Sequence, residues 1–203
     1  MVDLVPSSDS VMQILEKTGA YRQGHFVYPS GKHASCYFQM PLAFRYYDNS
    51  RVMSVGLSRI FRMDKSISSR LPKVSIISPS PGGIPVAFAV REALGAEQIY
   101  WAELEDGKRR FRQYLKDGDI YPCIIVDDLI RTGKAIQETA DLVAEFGGEV
   151  IGCGAIVRFT DAPAEVNGIK IQSLSEFGCS FYDTEEEWKA AEGDDSPAEI
   201  VRF

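Results

Sequence analysis

The fold of this chain is decided by one stretch, YPCIIVDDLIRTGKAIQET, which occupies residues 121–139. Its first part, residues 121–128, is rich in β-branched side chains and ends in two acids, a composition that predicts a buried β-strand. Residues 135–146 place apolar side chains at helical spacing, and the helix that they predict ends at Gly147 and Gly148. The stretch therefore predicts a strand, a short turn and a helix, in that order.

Strands and helices alternate around this stretch. Residues 74–78, 98–103 and 150–157 are short apolar runs that predict strands, and residues 84–94 predict a helix. This alternation predicts an α/β fold with a central parallel sheet flanked by helices, whose ligands bind beyond the carboxyl ends of the strands. Three segments leave that edge: residues 79–83, residues 127–135, and the charged residues 103–119, which we expect to form a loop or hairpin.

The two ends of the chain give weaker patterns. Aromatic-rich residues 24–47 predict irregular strands, and the acidic last twenty residues predict a small helix followed by a solvated tail. We expect a single domain over residues 1–203. Its parts would be a small hood-like N-terminal region, a core, and a C-terminal strand, helix and tail, at residues 1–48, 49–160 and 161–203.

Composition narrows the class of protein. The chain has 203 residues, of which 45% are hydrophobic and 25% charged, as in an ordinary globular domain. Its net charge of −7 argues against general affinity for nucleic acid, which requires Lys and Arg to neutralise phosphates. No apolar run is long enough to cross a membrane. The four cysteines are widely spaced and favour neither a disulfide framework nor a zinc site, so we expect a reducing, cytoplasmic compartment.

The chemistry of the chain is indicated by the acidic pair Asp127 and Asp128. Paired carboxylates at the end of a buried strand need counter-charges, hydroxyl donors or a metal. Thr132 and Gly133 follow at the start of the predicted helix, whose free backbone N–H groups suit a phosphate. Carboxylates for sugar hydroxyls beside amides for a phosphate indicate a ribose 5-phosphate site. The alternative is that the two acids only end a strand and cap a helix.

Residues 123–139 resemble the signature of type I phosphoribosyltransferases, which bind 5-phosphoribosyl-1-pyrophosphate (PRPP). The resemblance implies the type I phosphoribosyltransferase fold, in which Asp127 and Asp128 contact the ribose hydroxyls. It also implies that the 5-phosphate is held by the turn, which consists of Arg131, Thr132, Gly133, Lys134 and Ala135. This chain has Arg131 where the family commonly has Thr, and Ala135 where a hydroxyl usually helps the phosphate. Lys134 or Arg131 would replace that contact by charge, or would face solvent.

Shorter motifs resemble the orotate phosphoribosyltransferases: GHF at 24–26, SGKH at 30–33, YFQ at 37–39, GGIP at 82–85 and AELEDGK at 102–108. The resemblance implies that Gly82 and Gly83 present backbone N–H groups to pyrophosphate; the alternative is an ordinary strand-to-helix turn. It also implies a homodimer and a mobile basic loop that closes over the site. That loop would supply Lys108 and Arg109 to catalysis, with Arg110 and Arg112 nearby, and the alternative is a solvated charged face.

The residues implied to bind the base are Lys32, Arg158 and Phe159. Orotate enzymes commonly have an Asp-Arg pair at this point, and the chain has Arg158 and Phe159 in register with it. Arg158 would bind the base after a one-residue shift, or the pocket would prefer another base, and Phe159 would stack on a flat ring. Pro29 stands where some members of the family have Lys.

The resemblance implies a pentosyltransferase that moves ribose 5-phosphate from PRPP to a nitrogen base, orotate before others, for pyrimidine nucleotide synthesis. Its partners would be small molecules, with neither nucleic acid nor membrane. Mg²⁺ would bind mainly through phosphate and ribose oxygens, and no side chain is predicted as a metal ligand. Two alternatives stay open at this point: a regulator that binds PRPP or a nucleotide without catalysis, and a transferase for a purine or other base.

Overall fold

The computed structural model describes residues 5–113, 115–116, 119–193 and 195–201. The helices are α1 (Ser8–Thr18), α2 (Pro41–Phe44), α3 (Tyr47–Met63), α4 (Lys65–Ser68), α5 (Ile84–Leu94), α6 (Lys134–Glu145) and α7 (Glu185–Glu192). The strands before α6 are β1 (Tyr21–Val27), β2 (His33–Phe38), β3 (Ser75–Ser78), β4 (Gln98–Glu105), β5 (Lys108–Phe111) and β6 (Cys123–Ile130). Those after it are β7 (Val150–Phe159), β8 (Glu165–Val166), β9 (Ile169–Phe177), β10 (Phe181–Tyr182) and β11 (Glu199–Ile200).

A large sheet runs through the core in the order β5-β4-β3-β6-β7-β9-β8. Its inner strands, from β4 to β9, are parallel, and only the two edge strands β5 and β8 are antiparallel to their neighbours. Helices α3 and α5 pack together, and α6 packs on β6 and β7. The apolar run of β6 is fully buried, which explains its near-continuous hydrophobicity. The predicted α/β fold with a central parallel sheet is confirmed.

A small sheet, made of β10, β2, β1 and β11 in that order, draws on both ends of the chain. β11 pairs in parallel with β1, so that Phe26 lies opposite Glu199 and Val27 opposite Ile200. Val201 is buried against Phe26, and its N–H donates to the carbonyl of Val27. The prediction of a solvated C-terminal tail is therefore wrong for residues 199–201, because an apolar residue and a strand edge hold them on the small sheet.

Helix α7 also belongs to this layer. Trp188 is buried, and its ring stacks on that of His25 with 3.7 Å between the ring centroids. The Nε2 of His25 lies 2.7 Å from the Nδ1 of His33 on β2. The acidic residues at the start of α7 face solvent and suit the positive end of the helix dipole. These contacts fix the predicted terminal helix to the N-terminal strands.

The cysteines differ from the expectation. Cys36 on β2 and Cys179, just before β10, form a disulfide with a Cα–Cα distance of 6.1 Å. The two residues are 143 positions apart and are brought together only by the small sheet, so their spacing in the sequence gave no signal. Cys123 and Cys153 are buried free thiols, as expected, and burial raises the pKa of each to about 12. Within the described ranges, no helix is long and apolar enough to cross a membrane.

Candidate functional site

The acidic pair lies on β6, near the carboxyl end of the parallel sheet. β6 continues two residues beyond the pair, because Leu129 and Ile130 still pair with Val157 and Arg158 of β7. The predicted end of the strand at residue 128 is thus two residues too early. On the other side, the pairing of β3 with β6 ends at Ile77 and Ile125. A turn, rather than a strand, therefore borders the two carboxylates on that side.

That turn is tied directly to the acidic pair. The Ser80 hydroxyl donates to Oδ1 of Asp127 at 2.7 Å, and the Gly83 N–H donates to the Ser80 oxygen at 3.1 Å. The same Oδ1 of Asp127 accepts from the backbone N–H of Asp128 at 3.0 Å. Oδ1 of Asp128 accepts from the N–H of Leu129 at 2.9 Å. One oxygen of each carboxylate is thus held by the protein, and the hydrogen bonds fix the orientation of both groups.

Gly82 and Gly83 bring the backbone of the turn close to the carboxylates. A Cβ at Gly82 would lie 2.8 Å from Oδ2 of Asp128, and one at Gly83 would lie 2.4 Å from Oδ1 of Asp127. Either atom would overlap the acidic pair, so a larger residue would displace it. Only a bare backbone therefore fits between the turn and the carboxylates, which explains why glycine stands at both positions.

Burial shapes the charge of the pair. Asp127 is 4% exposed, and burial raises the pKa of its carboxyl above the ordinary value. The pKa of Asp128 is raised further, first by burial and then by the negative charge of Asp127. Among the described residues, no group of three His, Cys, Asp or Glu side chains gathers to hold a metal ion. Two carboxylates of this kind are satisfied best by hydroxyl donors and by cations that arrive with a ligand.

The turn after β6 presents an open helix start. Gly133 has φ 72°, in the left-handed region that favours glycine, and a Cβ there would lie 2.6 Å from the Pro163 ring. No side chain caps α6, although the Lys134 N–H lies 3.4 Å from the Thr132 hydroxyl oxygen. Unpaired N–H groups and the positive end of a twelve-residue helix favour an anion here. The turn and the acidic pair belong to one continuous segment.

The charged segment forms a hairpin of β4 and β5, as expected. Arg109 is its most buried cation, with a side chain 13% exposed. Its Nε donates to Glu138 of α6 at 3.1 Å, and another of its N–H groups donates to the carbonyl of Pro79. Arg109 therefore links the hairpin to the turn that precedes Gly82. Lys108 is exposed, whereas Arg110 and Arg112 pair with acids of β4.

A groove of about 760 Å³ separates this hairpin from α6. It lies beside the acidic pair and includes neither Asp127 nor Asp128. The polar residues that line it are Lys108, Arg109, Arg110, Gln113, Glu138, Asp141 and Glu145. The ligand site is therefore better located by the hydrogen-bonded carboxylates than by this groove.

The three residues predicted to bind the base do not gather at the acidic pair. Lys32, in the turn between β1 and β2, is paired with Asp183 at 2.6 Å. Arg158 is 11% exposed and donates to Glu176 at 2.5 Å and to the carbonyl of Ala162 at 2.8 Å. Its side chain is therefore already paired within the protein.

Phe159 was predicted to stack on a flat ring, and its position in the structure is against that role. It is fully buried, with its ring centroid 5.8 Å from that of Phe38 and 5.9 Å from that of Phe181. Because the ring is part of the core, it has no open face on which a base could stack. β7 runs two residues beyond the predicted end at 157, which turns Phe159 inward.

Sequence reasoning gave no role to three residues that border the site. Ser80 holds Asp127, and Glu138 holds Arg109. Phe181 of β10 lies under the Arg131 guanidinium. The Pro-Ser-Pro sequence at 79–81 was a possible signal for Ser80, since it marks a fixed turn beside the strand. The other two contacts depend on tertiary folding.

Several known proteins resemble this chain in sequence over most of its length. No family model matches the chain. The orotate phosphoribosyltransferase of Caldanaerobacter subterraneus subsp. tengcongensis is 32% identical over 178 residues, which cover 88% of this chain and 89% of the relative. That of Pelotomaculum thermopropionicum is 32% identical over 166 residues, covering 82% and 83%. This chain belongs to the orotate phosphoribosyltransferase family.

Solved structures agree with this family in fold. Orotate phosphoribosyltransferase from Aeropyrum pernix matches with a TM-score of 0.62 and 20% identity, over 82% of this chain and 93% of that one. A phosphoribosyltransferase from Corynebacterium diphtheriae gives a TM-score of 0.63 and 19% identity, over 83% and 95%. The type I phosphoribosyltransferase fold is thereby confirmed.

Proposed function

We propose that this chain transfers ribose 5-phosphate from PRPP to orotate, giving a nucleoside 5-monophosphate and pyrophosphate. The observation that carries the proposal is the acidic pair of buried Asp127 and half-buried Asp128, held by Ser80 and by backbone N–H groups in a chain of this family. The pair has carboxylate oxygens on the ligand side of the sheet, next to an open helix start. That combination suits a phosphorylated ribose.

Each part of PRPP has a partner in this arrangement. The ribose 2- and 3-hydroxyls donate to Asp127 and Asp128, which relieves the cost of burying two carboxylates. The 5-phosphate binds the N–H groups of residues 132–135, at the start of α6. The pyrophosphate binds at Gly82 and Gly83. Arg109, fixed to the carbonyl of Pro79, supplies positive charge beside that turn.

The reaction is a displacement at C1 of the ribose. A ring nitrogen of the base forms the new bond to C1 and loses its proton to water or to the departing pyrophosphate. The bond between C1 and the pyrophosphate oxygen breaks, so that its electron pair leaves with pyrophosphate. No covalent intermediate with the protein is required. Arg109 and the exposed Lys108 stabilise the negative charge that grows on the leaving group. Catalysis comes mainly from positioning and from this charge stabilisation.

Mg²⁺ fits the site as a partner of the substrate. When bound, the ion neutralises charge on pyrophosphate and polarises the leaving group. The described residues gather only two carboxylates there, too few for a resident metal with all-protein ligands. Asp127 and Asp128 would face the ion through ribose oxygens or water, and the pyrophosphate would supply most of its ligands.

The assembly and location proposed with this function are a homodimer in the cytoplasm. Exposed apolar side chains on α3 and α5, namely Tyr47, Val52 and Phe88, support a protein contact on that face. The Cys36–Cys179 disulfide counts against a reducing compartment. Sedimentation at micromolar concentration tests the dimer, since a monomer alone would contradict it.

A transferase for a different base is the second candidate. It is favoured by one observation: Arg158 is paired with Glu176, and Phe159 is buried, so neither residue implied for orotate is free to contact it. The alternative of a regulator without catalysis keeps the same PRPP site. The three functions differ in which base, if any, causes pyrophosphate to be released from PRPP.

One experiment separates them. The protein is incubated with PRPP, Mg²⁺ and, separately, orotate, uracil, adenine, guanine and hypoxanthine, and pyrophosphate release is measured. We expect release with orotate at a rate at least ten times that with any other base. Release with another base and not with orotate would show that the other base is the substrate. Binding of PRPP in calorimetry without release from any base would favour the regulator.

A further inference from the structure

Arg131 occupies an unusual place at the edge of the PRPP site. It follows directly on β6, and its guanidinium lies over the ring of Phe181, 4.9 Å from the ring centroid. Phe181 belongs to β10 of the small sheet. The side chain of Arg131 therefore extends from the large sheet toward the small sheet, and does not fold back over the start of α6.

Two aromatic side chains, Phe181 and Tyr28, pack together near Arg131. The Tyr28 ring lies 5.7 Å from that of Phe181, and the Tyr28 hydroxyl donates to the carbonyl of Cys36 at 3.3 Å. Burial raises the pKa of Tyr28 to about 12, and the positive charge of Arg131 acts in the opposite direction. A flat ligand between the two sheets would meet these aromatic side chains together with a cation.

Arg131 also differs from the other cations of the site in its hydrogen bonds and ion pairs. Within the part of the chain that the structure describes, it has no hydrogen-bonding partner and no ion pair, only the ring of Phe181. The other cations named for the site are engaged: Arg158 with Glu176, Lys32 with Asp183 and Arg109 with Glu138. A guanidinium has five N–H donors in a planar fork that matches a carboxylate. Those of Arg131 remain available to a ligand.

The distance from the acidic pair suits a base. Arg131 lies three residues after Asp128, and an extended chain rises about 3.3 Å per residue, so the two backbones are about 10 Å apart. A ribose held by the carboxylates carries its base at C1, and the phosphate-binding N–H groups lie at the other end of the turn. A base that points toward the small sheet would then reach Arg131 with its far edge.

We propose that Arg131 is the specificity-determining residue of the chain: it binds a carboxylate carried by the base, while Phe181 and Tyr28 pack against the ring system. This inference rests on the proposed function and deepens it, because orotate is uracil with an added carboxylate. It gives to Arg131 the role that the sequence resemblance implied for Arg158. It also explains how a chain with a buried Phe159 and a paired Arg158 selects an acidic pyrimidine.

The test compares two bases that differ only in the carboxylate. In the wild type and in Arg131→Gln, kcat/KM is measured for orotate and for uracil, with the KM of PRPP measured alongside. We expect Arg131→Gln to lower kcat/KM for orotate about 10- to 100-fold, the range for a lost hydrogen bond to a charged group. The value for uracil and the KM of PRPP should stay within about threefold. Arg131→Lys should fall between, since it keeps the charge and loses the planar fork.

The matched control is Arg45→Gln. Arg45 also lies over an aromatic ring, 4.9 Å from the centroid of Tyr46, but outside the site, so its removal should leave both bases unchanged. An equal loss for both bases with a raised KM for PRPP would overturn the proposal and assign Arg131 to the 5-phosphate. Unchanged orotate kinetics in Arg131→Gln would overturn it as well.

A binding experiment keeps the inference separate from the proposed function. If the wild type releases no pyrophosphate with orotate, the proposed function fails. The affinities of orotidine 5-monophosphate and uridine 5-monophosphate then test Arg131 by calorimetry. We expect the wild type to prefer the carboxylated nucleotide at least tenfold and Arg131→Gln to lose that preference. A wild type without the preference would overturn the role of Arg131 directly.

Discussion

At the scale of single residues, Asp127 and Asp128 are a cost to the fold. Two adjacent carboxylates near the end of a buried strand lose hydration, and the negative charge of Asp127 further disfavours the charge of Asp128. Ser80 and two backbone N–H groups offset part of that cost. Nothing in the core requires a second acid there, so the pair is explained by a ligand and not by stability.

This cost predicts the effect of Asp128→Asn. The native pKa of Asp128 is raised, so the folded protein binds protons more readily than the unfolded chain, and stability falls as pH rises from about 4 through the native pKa. At neutral pH, Asp128→Asn should raise the free energy of unfolding by about 1–2 kcal/mol, and the melting temperature by a few degrees. Its stability should also depend less on pH. A lower melting temperature at pH 7 than that of the wild type would show that the charge of Asp128 does not destabilise the fold.

Gly83 gives a second prediction at this scale. Gly83→Ala should lower the free energy of unfolding by about 1–3 kcal/mol and weaken PRPP binding, since the new methyl group meets Asp127. Gly178→Ala is the matched control. Its Cβ would lie 3.6 Å from Thr160, an ordinary contact, so both stability and binding should stay near the wild-type values. Urea unfolding and calorimetry measure the two effects, and equal behaviour of the two variants would show that the turn tolerates a side chain.

At the scale of elements, the short strand β11 attaches the C-terminus to β1. Ile200 is 65% exposed, whereas Val201, the residue directly after β11, is 5% exposed beside Phe26 and Tyr37. Glu199 adds an ion pair with Arg22, 2.9 Å long and exposed, which contributes little. The attachment therefore depends on one buried side chain and on the backbone pairing.

Val201→Ala should consequently lower the free energy of unfolding by about 1–2 kcal/mol, through the loss of buried methyl groups. Ile200→Ala, one residue earlier and on the opposite face, should change it by less than about 0.5 kcal/mol. Denaturant unfolding of the two variants beside the wild type measures the difference. If Ile200→Ala were the more destabilising, the placement of β11 on β1 would be wrong.

The elements also show what a sequence can predict. β6 was predictable because residues 123–126 form a continuous apolar run, and α6 because its apolar side chains recur at helical spacing. β10 and β11 were not, because two residues carry no period and their pairing depends on segments far away in the chain. The pairing of Arg158 with Glu176 was hidden for the same reason, since β9 brings that acid into reach.

At the scale of the whole molecule, the acidic pair and its turn were predictable because they are contiguous in sequence. The strand pairing that closes the small sheet was not. That sheet joins residues near 21–38 to residues 181–201, and the Cys36–Cys179 bond fastens the two. The residues of the small sheet therefore come from distant parts of the chain. This is why the acidic pair and its turn were predictable from the sequence, whereas the contacts within the small sheet were not.

Thiol titration tests this closure. Protein purified without reductant and then denatured should titrate two thiols, those of Cys123 and Cys153. Cys36→Ser should raise the number to three, since it frees Cys179 while removing one cysteine. Dithiothreitol should raise the wild type to four, the number of cysteines in the chain. Four thiols without reductant would show that the bond is absent in solution.

The central claim is that Asp127 and Asp128 hold the ribose of PRPP. Asp127→Asn combined with Asp128→Asn tests it most directly, with PRPP affinity measured by calorimetry in Mg²⁺ and pyrophosphate release measured with orotate. We expect affinity to fall at least about 100-fold, given two charged hydrogen-bonding groups lost, and turnover to disappear, while cooperative thermal unfolding persists. A folded double variant that binds PRPP and releases pyrophosphate as the wild type does would contradict the claim.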